Sequence, residues 1–238
     1  MRRPEKEIAT MRIQGFQKLT LLDFPGKVAC ILFTEGCNFR CPFCHNAALV
    51  SHVDPSARLQ EEEILRQLEK RKGILDGVCV TGGEPLLQNE IEDFLGKLKE
   101  MGFAVKLDTN GSFPERLKAI VKAGLVDYVA MDIKNAREKY AQTVGVHSFA
   151  VAPIEESAAF LLTGKVPFEF RTTVTRELHT PADIAAIADW IQGAPAYYIQ
   201  NFVDSGDLVG QGMHPVSKED LAAMKAEAEA RGLPTRVR

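Results

Sequence analysis

Three cysteines stand at C-x3-C-x2-C spacing in the run Glu35-Gly36-Cys37-Asn38-Phe39-Arg40-Cys41-Pro42-Phe43-Cys44-His45-Asn46. Thiolates are soft ligands that select zinc or iron–sulfur clusters. A cuboidal iron–sulfur cluster ordinarily takes four thiolates. Three closely spaced ones hold three irons and leave the fourth open to a substrate or cofactor. Such a site is built for chemistry rather than for passive electron storage. The rival is a structural zinc site with His45 as fourth ligand, because zinc takes four Cys or His ligands. That rival asks the adjacent Cys44 and His45 to turn to one metal, and no second cysteine pair supports it. A disulfide framework fits three clustered cysteines in a reducing interior less well. Cys30 and Cys79 lie inside apolar runs and read as small core residues.

Further polar residues of chemical use recur downstream. They are Gly82-Gly83-Glu84-Pro85, Asp108-Thr109-Asn110-Gly111, Asp132-Ile133-Lys134, Arg171-Thr172-Thr173 and Gln200-Asn201. Adjacent glycines let a backbone approach a ligand closely, and their carbonyls accept from an ammonium group. Taken singly, these motifs have plainer readings: a β-α turn for Gly82–Pro85 and helix capping for a strand-end aspartate. Asp23–Gly26 likewise reads as a β-turn with proline at an inner position. His52, His147, His179 and His214 have no motif context and read as surface or loop histidines.

Their common placement is what raises the chemical reading. Short apolar runs alternate with helical patterns, the mark of a parallel α/β protein. The expected strands are Val28–Phe33, Gly77–Val80, Ala104–Leu107, Tyr128–Met131, Phe168–Thr173 and Tyr197–Gln200. Several are near-continuous apolar runs, as in strands covered on both faces. Between them, periodicity predicts helices over 59–72, 90–101, 114–123, 153–162 and 181–191, with a terminal helix over 218–230. Gly102 reads as a C-cap, and Thr180 as an N-cap ahead of Pro181. Six β-α units give a partial (β/α)6 TIM-type barrel, or an open doubly wound sheet, with ligands at the C-terminal ends of the strands. The cysteine triplet and the five motifs from Gly82–Pro85 to Gln200-Asn201 fall at or close to such an end.

The chain of 238 residues supports one well-buried core, and we expect one domain over 1–238, with residues 1–13 as an N-terminal extension and 214–238 as a helical tail. Met11 is an alternative start to Met1. A net charge of −3 with 26% charged residues gives no sign of a nucleic-acid or membrane partner. No long apolar run or signal-peptide h-region is present, and an oxygen-labile cluster needs a reducing interior, so a cytoplasmic location is expected.

On these residues the chain resembles the radical S-adenosylmethionine superfamily, from about Gln14 to Gln200. The resemblance implies a [4Fe–4S] cluster on Cys37, Cys41 and Cys44. Its open iron is chelated by S-adenosylmethionine, whose reductive cleavage yields a 5′-deoxyadenosyl radical that abstracts hydrogen. It also implies Phe43 against the adenine, and cofactor contacts from His45, Gly82, Gly83, Glu84, Asp108, Asp132 and Lys134. A monovalent-cation site would be drawn from Asp108, Thr109 and Asp132. His45-Asn46, Asp108–Gly111 and Asp132–Lys134 resemble the glycyl-radical-enzyme activases. Leu21-Leu22-Asp23-Phe24-Pro25-Gly26 and Glu169–Val174 look most like the activating proteins of anaerobic ribonucleoside-triphosphate reductase. The implied partners are that glycyl radical enzyme and a flavodoxin- or ferredoxin-type electron donor, since no second cysteine cluster is present.

One departure stands out. Pyruvate formate-lyase activases end the sixth strand with a histidine, whereas this chain has Gln200-Asn201 there, which argues against the formate-lyase assignment. Two other readings stay open. One is a small-molecule radical enzyme such as a 7-carboxy-7-deazaguanine synthase-like protein, with Arg171 binding a carboxylate. The other is a non-catalytic zinc-binding module.

Overall fold

The computed structural model describes residues 10–238; residues 1–9 of the expected extension, and with them Met1 as a start, lie outside the described residues. The later part of that extension is packed. Met11 is buried, and its backbone N–H donates to Glu61 Oε2 at 2.9 Å.

Eight strands follow: β1 (Ile13–Thr20), β2 (Ala29–Thr34), β3 (Gly77–Gly82), β4 (Ala104–Thr109), β5 (Tyr128–Asp132), β6 (Phe168–Val174), β7 (Tyr197–Asn201) and β8 (Thr235–Val237). They form one sheet in chain order, parallel from β2 to β8, with β1 antiparallel on the β2 edge. The six expected strands are β2–β7, each running a residue or two further at its C-terminal end. This is the partial TIM-type barrel, with one addition at each edge. β1 carries a glycine and several polar residues and shows no clean alternation. β8 is three residues long, too short for a pattern.

The helices are α1 (Ala47–Val50), α2 (Glu61–Glu69), α3 (Ile91–Glu100), α4 (Pro114–Lys122), α5 (Tyr140–Val144), α6 (Ala152–Leu162), α7 (Pro181–Trp190) and α8 (Lys218–Ala230). The short α1 and α5 are the two that periodicity does not predict. The cap expected at Thr180 forms fully: its hydroxyl accepts from the Asp183 N–H, and Asp183 accepts in return from the Thr180 N–H. Among the described residues no helix is long and apolar enough to cross a membrane.

The apolar runs of the strands conceal a two-residue alternation. Cys30, Leu32, Val78, Val80, Val105, Leu107, Val129, Met131, Phe168 and Phe170 face the helices and form the main core. Fully burying such a side chain stabilises by about 1.5–3 kcal/mol. The alternate residues face the barrel axis. At one end Phe24, Ala29, Ile31 and Cys79 make a small apolar plug that includes the ring of Tyr128. Elsewhere the inner face is charged: Lys106, Asp108, Asp132, Glu169 and Arg171. Lys106 and Glu169 are each 1% exposed, so the inner face has to satisfy its own charges.

Candidate functional site

A cavity of about 440 Å³ opens at the C-terminal ends of the strands and runs down the barrel axis. Cys37, Cys41 and Cys44 line it, together with Phe43, His45, Gly82, Gly83, Asp108, Asp132 and Lys134. The cysteine loop leaves β2 through Gly36, at φ +84°, a left-handed turn suited to glycine. Its shape is held from several sides. The Phe39 N–H donates to Cys37 Sγ at 3.3 Å, and the Cys44 N–H to the Cys41 carbonyl at 3.0 Å. Arg40 Nη1 donates to the carbonyls of Cys37, at 2.6 Å, and Phe39, at 2.8 Å. The Gly210 N–H reaches the Pro42 carbonyl at 2.9 Å.

Burial pushes the Cys37 thiol up to about 11 and the Cys41 thiol to about 12, with Lys134 pulling the other way. Both are therefore neutral thiols at physiological pH until a metal takes their protons. Cys79, read as a core residue, is buried but also lines the cavity.

The double glycine packs against the cysteine loop. A Cβ on Gly83 would lie 1.8 Å from the Gly36 carbonyl oxygen, and one on Gly82 would lie 2.2 Å from the Thr34 nitrogen. Only glycine allows that approach. The Glu84 N–H closes the contact by donating to the Gly36 carbonyl at 2.7 Å. Glu84 itself departs from expectation. It is fully buried, absent from the cavity wall, and accepts from the Leu86 N–H (3.0 Å), the Asn110 N–H (2.7 Å) and the Thr109 hydroxyl (2.8 Å). Its carboxyl ties the second motif to the end of β4 instead of facing a ligand. Burial pushes it up to about 7, against the pull of the three donors.

Asp108 and Asp132 are also already engaged. Lys106 pairs with Asp108. Arg171 Nη1 donates to Asp108 Oδ2 at 2.9 Å and Arg171 Nε to Asp132 Oδ1 at 3.0 Å, while Lys134 Nζ donates to Asp132 Oδ2 at 2.8 Å. These five side chains form one row of alternating charge across β4, β5 and β6. Burial opposes ionisation of Asp132, yet Arg171 and Lys134 hold its carboxyl down at about 2. Of the residues expected at a monovalent-cation site, Asp108 and Asp132 each meet ammonium and guanidinium groups, and the Thr109 hydroxyl donates to Glu84. Arg171, put forward as a carboxylate clamp, is committed to two carboxylates of its own.

Three more residues complete the wall. Phe43 is buried, with its ring edge-on to His179 at 6.2 Å between centroids. His45 stacks on Phe202 at 5.3 Å. Of the pair ending β7, Gln200 lines the cavity, whereas Asn201 is occupied with the backbone of Val216, at 3.1 and 3.0 Å.

His179, read as a surface or loop histidine, is 3% exposed. Its Nδ1 accepts from the Thr175 N–H at 3.1 Å, which leaves the proton on Nε2 to donate to the Lys134 carbonyl at 2.8 Å. The Lys134 N–H donates in turn to the Tyr140 hydroxyl at 3.2 Å. The backbone of Lys134 is thus gripped from both sides while its ammonium faces the cavity. No sequence motif marks His179, because its partner lies 45 residues away on another loop.

The chain matches the radical SAM superfamily over residues 31–152, the segment holding the cysteine loop, the double glycine and the ends of β4 and β5. A Methanocaldococcus jannaschii protein, provisionally named a glycyl-radical enzyme activating enzyme, is 31% identical over 80% of this chain and 79% of its own length. The pyruvate formate-lyase-activating enzyme of Staphylococcus aureus is 33% identical over 52% of this chain and 53% of that enzyme, so about half of its length lies outside the match. A solved radical SAM methyltransferase from Sphaerobacter thermophilus has the same fold, with a TM-score of 0.72 at 14% identity over 92% of this chain and 68% of that one. The chain belongs to the radical SAM superfamily, in its glycyl-radical-enzyme activase family.

Proposed function

We propose that this protein installs a glycyl radical on an anaerobic ribonucleoside-triphosphate reductase. The reading rests chiefly on one observation: three cysteines, a double glycine and the Lys134 ammonium line one cavity at the C-terminal ends of parallel strands.

The family implies an iron–sulfur cluster and S-adenosylmethionine, and the donor set fits them. Cys37, Cys41 and Cys44 would hold a [4Fe–4S] cluster, each thiolate at a different iron. That arrangement does not ask the sulfurs to meet at one point. A zinc site does, and among the described residues no three His, Cys, Asp or Glu side chains converge in that way. When bound, the cluster and S-adenosylmethionine supply one-electron cleavage of a sulfonium carbon–sulfur bond and, through it, abstraction of hydrogen from a substrate glycine.

The residues of this chain bind, orient and exclude water. The row from Lys106 to Lys134 carries three positive and two negative charges, so it leaves one positive charge for an anionic group such as a carboxylate. Lys134 is its outer end and meets that group as a point charge. Phe43 offers an apolar wall for a heterocycle, and Gln200 a neutral hydrogen-bonding group. Gln200 in place of a histidine favours the reductase partner over a formate lyase.

The partner is a protein rather than a small molecule. Arg171 is already bound to two carboxylates through Nε and Nη1, so its charge is offset before any small carboxylate substrate arrives. Beside the cavity, Leu21 is 68% and Leu22 85% exposed, next to Asp23 on the cavity wall. Apolar side chains so placed suit a protein surface. The test is anaerobic reconstitution followed by electron paramagnetic resonance with the candidate reductase. A glycyl radical should appear with the wild type and not with Cys41→Ala. Cleavage of S-adenosylmethionine without any partner radical would defeat the substrate assignment, and cleavage by Cys41→Ala would defeat the cluster assignment.

A further inference from the structure

Beside Cys37 three side chains close a hydrogen-bonded ring. Asn110 Oδ1 accepts from the Ser112 N–H at 2.9 Å and from the Ser112 hydroxyl at 2.6 Å. Asn110 Nδ2 donates to Asn38 Oδ1 at 2.9 Å and lies 3.8 Å from Cys37 Sγ. Asn38 Nδ2 donates to Ser112 Oγ at 2.9 Å. The ring leaves the Asn110 amide one orientation. A flip would set its NH2 against the Ser112 N–H and its oxygen against the Cys37 sulfur. The backbone is fixed as well, since the Asn110 N–H donates to Glu84 Oε2 at 2.7 Å and the residue is buried.

Cys37 therefore receives two N–H donors, one from Phe39 and one from this locked amide. Among the described residues, Cys41 and Cys44 receive none at sulfur. A donor at a ligating thiolate withdraws negative charge and favours the more negative, reduced form of a cluster, so it raises the reduction potential. A free side-chain amide spends much of its time bonded elsewhere; one held by three partners keeps its donor on the sulfur in both redox states.

We infer that Asn110 is a positioning residue that raises the reduction potential of the cluster by holding a side-chain N–H on the Cys37 sulfur. The inference rests on the proposal that Cys37, Cys41 and Cys44 hold the cluster, and goes beyond it in assigning a part to Asn110, Asn38 and Ser112.

The experiment is a potentiometric titration, followed by electron paramagnetic resonance, of anaerobically reconstituted wild type, Asn110→Ala, Asn110→Asp and Ser112→Ala. Iron and sulfide are counted first, and S-adenosylmethionine is left out. Asn110→Ala should lower the ratio of reduced to oxidised cluster about tenfold at fixed potential, a shift of about 59 mV for a one-electron couple. Asn110→Asp, which turns an acceptor toward the sulfur, should shift further in the same direction. Ser112→Ala keeps the donor but loosens it and should fall between wild type and Asn110→Ala. A merely structural role would change iron content or melting temperature and leave the potential in place. Equal midpoints across the series overturn the inference while leaving the cluster assignment intact. A wild type that holds no cluster overturns the assignment itself. If the Asn110 variants hold no iron, Ser112→Ala decides, and an unchanged midpoint there overturns the inference.

Discussion

At the scale of single residues, two buried side chains beside the site, Glu84 and His179, bond mainly to backbone. Glu84 receives no cation, only donors, and burial raises its carboxyl to about 7 from an ordinary value of 4.5. The folded chain therefore holds a proton that the unfolded chain releases earlier. The stability linked to that proton is full below about pH 4.5 and is lost as pH rises toward 7. Glu84→Gln removes this dependence. It also sets an NH2 group against a backbone N–H that the carboxylate accepted from, at a cost of about 1–3 kcal/mol. Urea denaturation at pH 5 and pH 8 checks both effects: the wild type should lose more stability between the two than the variant does, and an equal loss in both refutes the assignment. His179 makes a parallel case. His179→Ala strands the Thr175 N–H and the Lys134 carbonyl in the interior, about 1–3 kcal/mol for each. Thermal melting should show the loss, and affinity for S-adenosylmethionine should fall with it, because Lys134 then has only Tyr140 to hold its backbone.

At the scale of elements, the decisive feature is the alternation along β4, β5 and β6. Lys106 and Asp108, then Asp132, then Glu169 and Arg171 occupy inward positions, and Asp132 sits directly opposite Arg171 in the register. Arg171 bridges two carboxylates, so Arg171→Met leaves each with only its lysine. Breaking a buried ion pair at one partner costs about 3–5 kcal/mol. Denaturation at neutral pH should show a loss of that order, with the variant recovering relative to wild type as pH falls and the two carboxylates, each left with one lysine, take up protons. A uniform loss across pH counts against the row as an electrostatic unit. The same strands show how much was legible beforehand. The six parallel strands and the motifs at their ends could be read because short apolar runs such as Gly77–Val80 alternate with helical patterns along the chain. The partners of Asp108, Asp132 and Arg171 could not. Pairing across a sheet depends on register, which a one-residue slip would invert. β1 and β8 were illegible for a different reason: as edge strands they carry too few buried residues to leave a pattern.

At the scale of the whole molecule, the barrel is covered by helices outside and charged within, and its cavity reaches from the C-terminal ends of the strands down to Asp23 in the segment that joins β1 to β2. That segment turns Phe24 into the apolar plug and Asp23 onto the cavity wall, while Leu21 and Leu22 point away from the protein. Each buried residue of this stretch is accounted for by the fold, but Leu22, at 85% exposure, has no use in the isolated chain. A protein partner whose contact surface extends to the end of the barrel where β2 begins would cover these leucines. Burying one leucine is worth about 1.5–3 kcal/mol, so Leu22→Ser should weaken partner binding about tenfold or more. The fold should keep its stability, because nothing packed is removed. Cleavage of S-adenosylmethionine in the absence of partner should also be unchanged, because Leu22 lies outside the cavity wall. Titrating the candidate glycyl radical enzyme against wild type and variant, with glycyl radical as the readout, separates these effects. A raised half-saturating partner concentration with an unchanged plateau is the expected outcome. Equal half-saturation in the two proteins means that the partner docks elsewhere.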